Sequence, residues 1–220
     1  MIVLKLGGSL AKDRKILECL CSEIENLSND FSMLVVPGGG VFADLVRDYD
    51  EKFKLSPEVS HKMAVLAMDQ VGFMISRFFK NYVFIDDLDD LNKFKNPNKV
   101  KIFIPSGFLF ELPESELEHS WDVTSDSISA YVADKINAGK LILLKDVDGI
   151  YDSDPKKNKD AKLIRRINLK EIKNLHCACV DRKFSGFLKT ECTIINGKFP
   201  RRLSDVLENK DFTGTEILIN

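Results

Sequence analysis

The sequence predicts an α/β fold, in which helices pack against a largely parallel sheet. Short β-branched or aromatic runs alternate with segments of helical periodicity from one end of the chain to the other. The runs are apolar almost throughout, which is typical of strands that are buried on both faces. With 220 residues, 44% of them hydrophobic, the chain is long enough to bury one substantial core. We therefore expect a single α/β domain.

The strands are predicted, in chain order, at 2–6, 31–36, 82–85, 100–104, 141–144, 193–195 and 216–219. Apolar residues recur at intervals of three and four in the helical segments, which are 16–27, 41–48, 57–79 and 124–137. Asn168 and Glu171 form a capping-box pattern that opens one more short helix. Two stretches interrupt the alternation: 86–95 is predicted to be a solvated surface helix, and 106–120 an exposed connection.

Charge and cysteine content disfavour several classes of protein. The chain has 32 Lys and Arg against 34 Asp and Glu, whereas nucleic-acid binders usually carry a basic excess. No apolar run approaches the roughly 18 residues that span a bilayer, and the N-terminal segment does not resemble a signal peptide. The five cysteines cannot all pair with one another, and His176, Cys177 and Cys179 lack a second ligand pair at zinc spacing. We expect a soluble cytoplasmic protein with free thiols and no metal site of its own, which binds neither nucleic acid nor membrane.

Two glycine-rich loops each follow a predicted strand. The loop 7–9 comes directly after the first strand, with Lys5 near the strand's end, and the loop 38–40 comes between the second strand and a helix. Glycines at such positions allow backbone N–H groups to approach phosphate oxygens closely. Either loop alone would be a tight turn or a flexible connector. Together they fall at one edge of a parallel sheet, where ligands of open α/β folds bind, and they predict a phosphate site.

The stretch 145–155 follows a predicted strand and is rich in aspartate. Its alternating aspartates could suggest a calcium loop, but the glutamate that an EF-hand requires is absent and Pro155 interrupts the pattern. A loop that holds a nucleotide fits better. The chain has neither a Walker A motif nor a GxGxxG motif, so a nucleotide enzyme of this sequence would be neither a P-loop protein nor a Rossmann dehydrogenase.

Four motifs in a fixed order carry a resemblance to a known family. They are KLGGSL from residue 5, PGGGVFADLVR from residue 37, WDVTSDSISA from residue 121 and LLKDVDGIYDSDP from residue 143. By these motifs the chain resembles the amino acid kinase superfamily, which includes acetylglutamate, aspartate, uridylate and isopentenyl phosphate kinases. The resemblance implies a three-layer αβα sandwich around a mostly parallel, eight-stranded sheet, with the acceptor over about 1–120 and ATP over about 121–220. It also implies phosphoryl transfer from ATP with Mg²⁺ to a small-molecule carboxylate or phosphate, and assembly into a homo-oligomer.

Within the superfamily, the sequence resembles the archaeal kinases of methanofuran biosynthesis, which convert (5-(aminomethyl)furan-3-yl)methyl phosphate to its diphosphate. The short length, WDVTSDS, the stretch 60–70 and the tail 195–202 carry this similarity. Isopentenyl phosphate kinases typically have a histidine after the second glycine loop, where this chain has Val41. A kinase of isopentenyl phosphate, a nucleotide or a carboxylate remains an alternative. A non-catalytic nucleotide-binding or storage protein of this fold is another, although such a protein would not need both Lys5 and Asp126.

The resemblance also implies roles for individual residues. The catalytic set is Lys5, which stabilises charge on the transferring group, Asp126, which orients the lysines, and Lys189 as the second lysine. The nucleotide-binding set is Gly7, Gly8, Ser9, Lys145, Asp146, Asp148, Gly149, Tyr151 and Asp154. The acceptor phosphate would contact Gly38, Gly39 and Gly40. Most family members carry Thr or Ser where Lys145 stands, and the Gly-Gly-Met segment that usually precedes the late lysine is absent before Lys189, which could equally be a surface charge.

Two further residues are candidates for the acceptor side on chemical grounds. An aminomethyl group is cationic at neutral pH, so Asp44 is a candidate to pair with it, with an exposed helix residue as the alternative. His61 lies on an otherwise Met- and Ala-rich helix. It could donate a hydrogen bond to phosphate, or it could be a satisfied, partly buried histidine.

Overall fold

One sheet of eight strands organises the computed structural model, which describes residues 1–92, 98–155, 157–172, 175 and 179–219. The strands are β1 (Ile2–Leu6), β2 (Met33–Pro37), β3 (Tyr82–Ile85), β4 (Val100–Phe103), β5 (Lys140–Lys145), β6 (Arg166–Asn168), β7 (Cys192–Asn196) and β8 (Gly214–Leu218). Their order across the sheet is β3-β4-β2-β1-β5-β7-β8-β6. The β7–β8 pair is antiparallel and the other pairs are parallel, so the predicted mostly parallel sheet is confirmed.

Helices cover both faces of this sheet. They are α1 (Arg14–Leu27), α2 (Gly40–Phe53), α3 (Pro57–Ser76), α4 (Pro105–Leu109), α5 (Ser125–Lys135), α6 (Leu169–Ile172), α7 (Phe184–Phe187) and α8 (Arg201–Leu207), with 3₁₀ turns at Gly8–Lys12 and Leu88–Asn92. In the described part of the chain no helix is long and apolar enough to cross a membrane.

The alternation of side chains along β1 decides which residues reach which helix layer. Leu4 and Leu6 point to the core layer that contains α1, whereas Val3 points to the layer that contains α5. Because side chains two apart share a face of a strand, Lys5 lies on the α5 side. The sequence of β1 therefore aims one lysine at the start of α5 from the middle of the sheet.

Several predicted elements differ from the structure in detail. The strand β6 was missed because it has three residues and follows a basic stretch, so it carries little strand signal. The segment 106–120 is not simply an exposed connection, since it begins inside α4 and buries Leu109 and Leu117. The 3₁₀ turn at Leu88–Asn92 is anchored in the core by Leu88 and Leu91, so it is not a fully solvated helix.

The predicted capping box is present at the start of α6. The backbone N–H of Asn168 donates to Glu171 Oε2 at 3.0 Å, and Asn168 Oδ1 accepts from the N–H of Lys170 at 3.0 Å. Of the five cysteines, Cys19, Cys21, Cys179 and Cys192 have free thiols. His176 and Cys177, for which the sequence predicts no zinc site, lie outside the described residues.

Candidate active site

The carboxyl ends of β2, β1, β5 and β7 lie side by side at one edge of the sheet. The first glycine loop leaves β1, the second leaves β2, and the acidic stretch leaves β5. Lys5 in β1 is opposite Leu143 in β5, and Lys145 at the end of β5 is opposite Asn196 in β7. The fold thus brings together loops that are more than a hundred residues apart in the sequence.

The two glycine loops touch through their backbones. A Cβ atom on Gly8 would lie 2.2 Å from the backbone nitrogen of Gly40, and one on Gly38 would lie 2.8 Å from that of Gly8. Gly40 has a backbone φ of +54°, a conformation that residues other than glycine rarely adopt. A Cβ on Gly7 would lie 2.6 Å from the carbonyl oxygen of Leu144. The glycines are therefore required for close packing of the two loops on each other and on β5.

A buried cluster of two lysines and one aspartate lies beneath the loops. Lys5 Nζ is 2.8 Å from Asp126 Oδ1, and Lys145 Nζ is 2.5 Å from Asp126 Oδ2. Lys5 is 5% exposed and Asp126 is 4% exposed. In the structure Lys5 and Asp126 are therefore in direct contact, and Lys145 is the third member of the cluster.

The protonation of this cluster follows from burial and mutual charge. Burial alone would raise the pKa of Asp126, but the ammonium groups of Lys145 and Lys5 outweigh it and lower the pKa well below the usual range. Burial lowers the pKa of Lys5, partly offset by Asp126. Burial would also lower the pKa of Lys145, but Asp126 outweighs it and raises the value. With both lysines protonated the cluster carries one excess positive charge, which suits an anionic ligand.

Asp181 holds the start of α5, although no local sequence pattern marks this residue. Its carboxylate accepts from the N–H and hydroxyl of Thr124 at 3.0 and 2.8 Å, and from the N–H of Ser127 at 2.9 Å as well as its hydroxyl. The N-cap residue Thr124 makes no side-chain capping bond of its own. Asp181 therefore caps the helix that carries Asp126 from 54 residues away.

A cleft of about 230 Å³ opens between the glycine loops, α2 and α3. Four of the predicted acceptor residues line it, namely Gly39, Gly40, Asp44 and His61, together with Gly8 and Ser9 of the first loop. Lys12 and Arg47 bring positive charge to the cleft, and Ser125 lines it beside Asp126. Glycine loops and two basic side chains make this cleft suitable for a phosphate group.

Asp44 and His61 differ in their surroundings. The Asp44 side chain is 55% exposed and its carboxylate is 3.3 Å from Lys12 Nζ. His61 is buried and its ring stacks on that of His119 at a centroid distance of 4.5 Å. Burial, and then the charge of His119, lower the pKa of His61 to about 4, so that His61 is neutral at pH 7.

The predicted nucleotide loop is joined to the C-terminal part of the chain. Asp148 accepts from Asn196 Nδ2 at 3.0 Å and from Arg202 Nη1 at 2.5 Å, and Tyr151 Oη lies 3.4 Å from the same carboxylate. Gly149 has a packing role, since a Cβ there would lie 2.3 Å from Thr215 Oγ1. Arg202 and Asn196 belong to the tail 195–202, but no local pattern in the sequence predicts their contacts with this loop.

Three other predicted residues lie apart from these contacts. Asp146 is half-buried, and the Asp154 carbonyl accepts from the N–H groups of residues 157 and 158 in a local turn. Lys189 is not in the cluster, because its ammonium pairs with Asp134 at 2.7 Å and its side chain is 64% exposed. In the structure it is Lys145, and not Lys189, whose ammonium pairs with Asp126.

The residues present fit a nucleotide phosphate better than a protein-bound metal cage. The glycine backbone and the excess positive charge of the cluster suit phosphate oxygens. In the described ranges no three His, Cys, Asp or Glu side chains are grouped to hold a metal ion. Mg²⁺ commonly reaches such sites with the nucleotide and keeps few protein ligands, so this arrangement is compatible with Mg²⁺ that is held mainly by phosphates.

The fold and this site define a class of α/β protein that holds phosphate groups at the carboxyl edge of its sheet. The chain belongs to the amino acid kinase family, whose model matches residues 1–186. A [5-(aminomethyl)furan-3-yl]methyl phosphate kinase of Methanocaldococcus jannaschii is 36% identical over 99% of this chain and 98% of its own length. A uridylate kinase of Sulfurisphaera tokodaii is 30% identical over 79% of this chain and 74% of its own length.

Solved structures agree with this assignment. The crystal structure of uridylate kinase from Archaeoglobus fulgidus superposes with a TM-score of 0.78 at 19% identity, covering 99% of each chain. The family, the three-layer α/β fold and the kinase class that the sequence predicts are confirmed by these matches.

Proposed function

We propose that the protein is an ATP-dependent kinase that phosphorylates a small phosphate monoester to a diphosphate. The proposed acceptor is [5-(aminomethyl)furan-3-yl]methyl phosphate, as in the relative that aligns over nearly the whole chain. The observation that carries the proposal is the buried Lys5–Asp126–Lys145 cluster beneath two glycine loops that touch each other. Excess positive charge between two phosphate sites is what transfer between phosphates requires.

The reaction requires no covalent bond between the protein and the transferred group. Phosphoryl transfer depends mainly on positioning and on neutralising charge on the transferring group. A phosphate monoester has a second pKa near 6 and is therefore already nucleophilic at pH 7. A general base is not needed, so an ionised Asp126 that holds two ammonium groups is consistent with this reaction.

Each set of residues has a place in this mechanism. Lys5 and Lys145 neutralise the phosphoryl oxygens, and Asp126 keeps both ammonium groups in position. The backbone of Gly7, Gly8 and Ser9 holds phosphates of ATP. The nucleotide side also includes Lys145 and the loop after it, with Asp146, Asp148, Gly149, Tyr151 and Asp154. The backbone of Gly38, Gly39 and Gly40 holds the acceptor phosphate. Mg²⁺ supplies further neutralisation of phosphate charge when it is bound with ATP.

The acceptor half is proposed to span about 1–120 and the ATP half about 121–220. We also propose a cytoplasmic homo-oligomer. Apolar side chains that stay exposed on α2 and α3, such as Leu45, Tyr49, Leu66 and Phe73, support assembly. The molar mass in solution, measured by light scattering, tests this part of the proposal.

The experiment that tests the function is a product assay with Mg²⁺-ATP and a panel of acceptors. The panel contains the furan phosphate, isopentenyl phosphate, UMP, aspartate and acetylglutamate, and ³¹P NMR reports whether a diphosphate forms. We expect a diphosphate from the furan phosphate, together with one ADP per turnover. If only another acceptor is turned over, that acceptor is the substrate instead of the furan phosphate. ATP binding without turnover of any acceptor would favour a non-catalytic nucleotide-binding protein.

A further inference from the structure

A second chamber adjoins the phosphate cleft. It has a volume of about 210 Å³ and lies between α3, the end of α2 and the segment before α5. Four residues line both spaces, namely His61, Ala64, Trp121 and Val123. The two spaces therefore lie next to each other.

The two spaces differ in charge. The cleft is lined by Lys12, Arg47 and the glycine loops, with Asp44 paired to Lys12. The described lining of the chamber contains one carboxylate, Asp50, and two histidines, His61 and His119, but no Lys or Arg. The cleft thus favours an anion and the chamber favours a cation.

Asp50 is held in place without being neutralised. Its Oδ2 accepts from Trp121 Nε1 at 2.6 Å, and it forms no ion pair within the described part of the chain. The guanidinium of Arg47, which lines the cleft, stacks on Trp121, with its Cζ 4.6 Å from the centre of the ring. One neutral donor fixes the direction of the carboxylate and leaves its charge available to a ligand.

The other walls of the chamber also suit a cation. The stacked rings of His61 and His119 line it beside Trp121. Aromatic faces attract ammonium groups, and the neutral form of His61 can accept a hydrogen bond from one. A carboxylate with aromatic neighbours is a common setting for a protonated amine.

We propose that the Asp50 chamber binds the ammonium end of an acceptor whose phosphate end occupies the glycine-loop cleft. This inference rests on the proposed function, since an aminomethyl furan phosphate carries a cation and a phosphate at opposite ends of a flat ring. It moves the ammonium contact from Asp44, which lies in the cleft and is paired with Lys12, to Asp50. It makes Asp50 a determinant of acceptor specificity.

The test compares two acceptors with wild-type protein and Asp50→Asn. One acceptor is the aminomethyl furan phosphate and the other has a methyl group in place of the aminomethyl group. Asparagine keeps an oxygen that accepts from Trp121 Nε1 and removes only the charge. We expect Asp50→Asn to weaken binding of the amine by roughly 10- to 100-fold in calorimetry, with the same loss in kcat/KM, and to leave the methyl analogue unchanged.

Asp48→Asn is the matched control, because Asp48 is an exposed aspartate of the same helix that lines neither space. It should leave the preference for the amine intact. The proposal is overturned if Asp50→Asn keeps the wild-type preference, or if Asp44→Asn loses it instead. It is also overturned if wild-type protein binds the amine no more tightly than the methyl analogue. Preferential binding without turnover would contradict the proposed function and leave the chamber assignment standing.

Discussion

At the scale of single residues, the site depends on how two lysines share one aspartate. Both oxygens of Asp126 face an ammonium group, one from β1 and one from the end of β5. Burying two cations against one anion is costly unless a further anion completes the set. A phosphate group would neutralise the one excess positive charge of the three side chains.

Lys145 and Lys189 provide a matched pair of substitutions for the identity of the second lysine. We predict that Lys145→Ala lowers kcat by roughly 10²- to 10³-fold, because it removes a buried positive charge next to the transferring group. Lys189→Ala should change kcat by less than about twofold, since it breaks an exposed ion pair with Asp134. Steady-state kinetics with saturating ATP and acceptor measure both values. The opposite ranking would restore Lys189 as the catalytic lysine.

Sequence reasoning at this scale selects residues that lie beside a recognisable loop. Lys5 and the glycines were identified because they follow strands whose ends must meet at one edge of a parallel sheet. Asp181, Asp50 and Arg202 were not, because their partners are 54 to 71 residues away in the chain. Such contacts depend on tertiary packing, which has no local pattern in the sequence.

At the scale of elements, the position of α5 determines whether Asp126 contacts the two lysines. The helix brings Asp126 to the two lysines from its first turn, and Asp181 supplies the cap that Thr124 does not. Most helices and strands were predictable, because their apolar periodicity is strong. The strand β6 and the anchored segment 105–117 were not, because short elements among charged residues carry weak periodicity.

The cap of α5 leads to a prediction about stability. Asp181→Ala should lower the free energy of unfolding by about 1–3 kcal/mol, because it leaves buried donors of Thr124 and Ser127 without an acceptor. It should lower kcat as well, because Asp126 lies in the turn that the cap fixes. Urea unfolding and steady-state kinetics measure the two effects.

Asp122→Ala is the control for this prediction. Asp122 lies close by in sequence to α5, but its side chain forms a loose, exposed ion pair with Arg182 at 3.6 Å. Asp122→Ala should lower the free energy of unfolding by less than about 1 kcal/mol. Equal losses of stability in the two variants would show that Asp181 has no special role in holding the helix.

At the scale of the whole molecule, the order of strands places the two glycine loops on neighbouring strands near the middle of the sheet. β1 and β2 carry the glycine loops, and β5 brings Lys145 next to them. The general plan followed from the alternation of strands and helices. The contact between the two loops and the chamber behind the cleft did not, since both depend on how α2, α3 and the segment before α5 pack together.

We propose that the excess positive charge of the buried cluster drives phosphoryl transfer. The variant Lys5→Met tests this proposal, because it keeps an unbranched side chain and leaves Asp126 paired with Lys145. We predict that kcat falls by roughly 10²- to 10³-fold while the dissociation constant of the acceptor, measured by calorimetry, stays within about threefold. A wild-type kcat in a folded Lys5→Met protein would contradict the account.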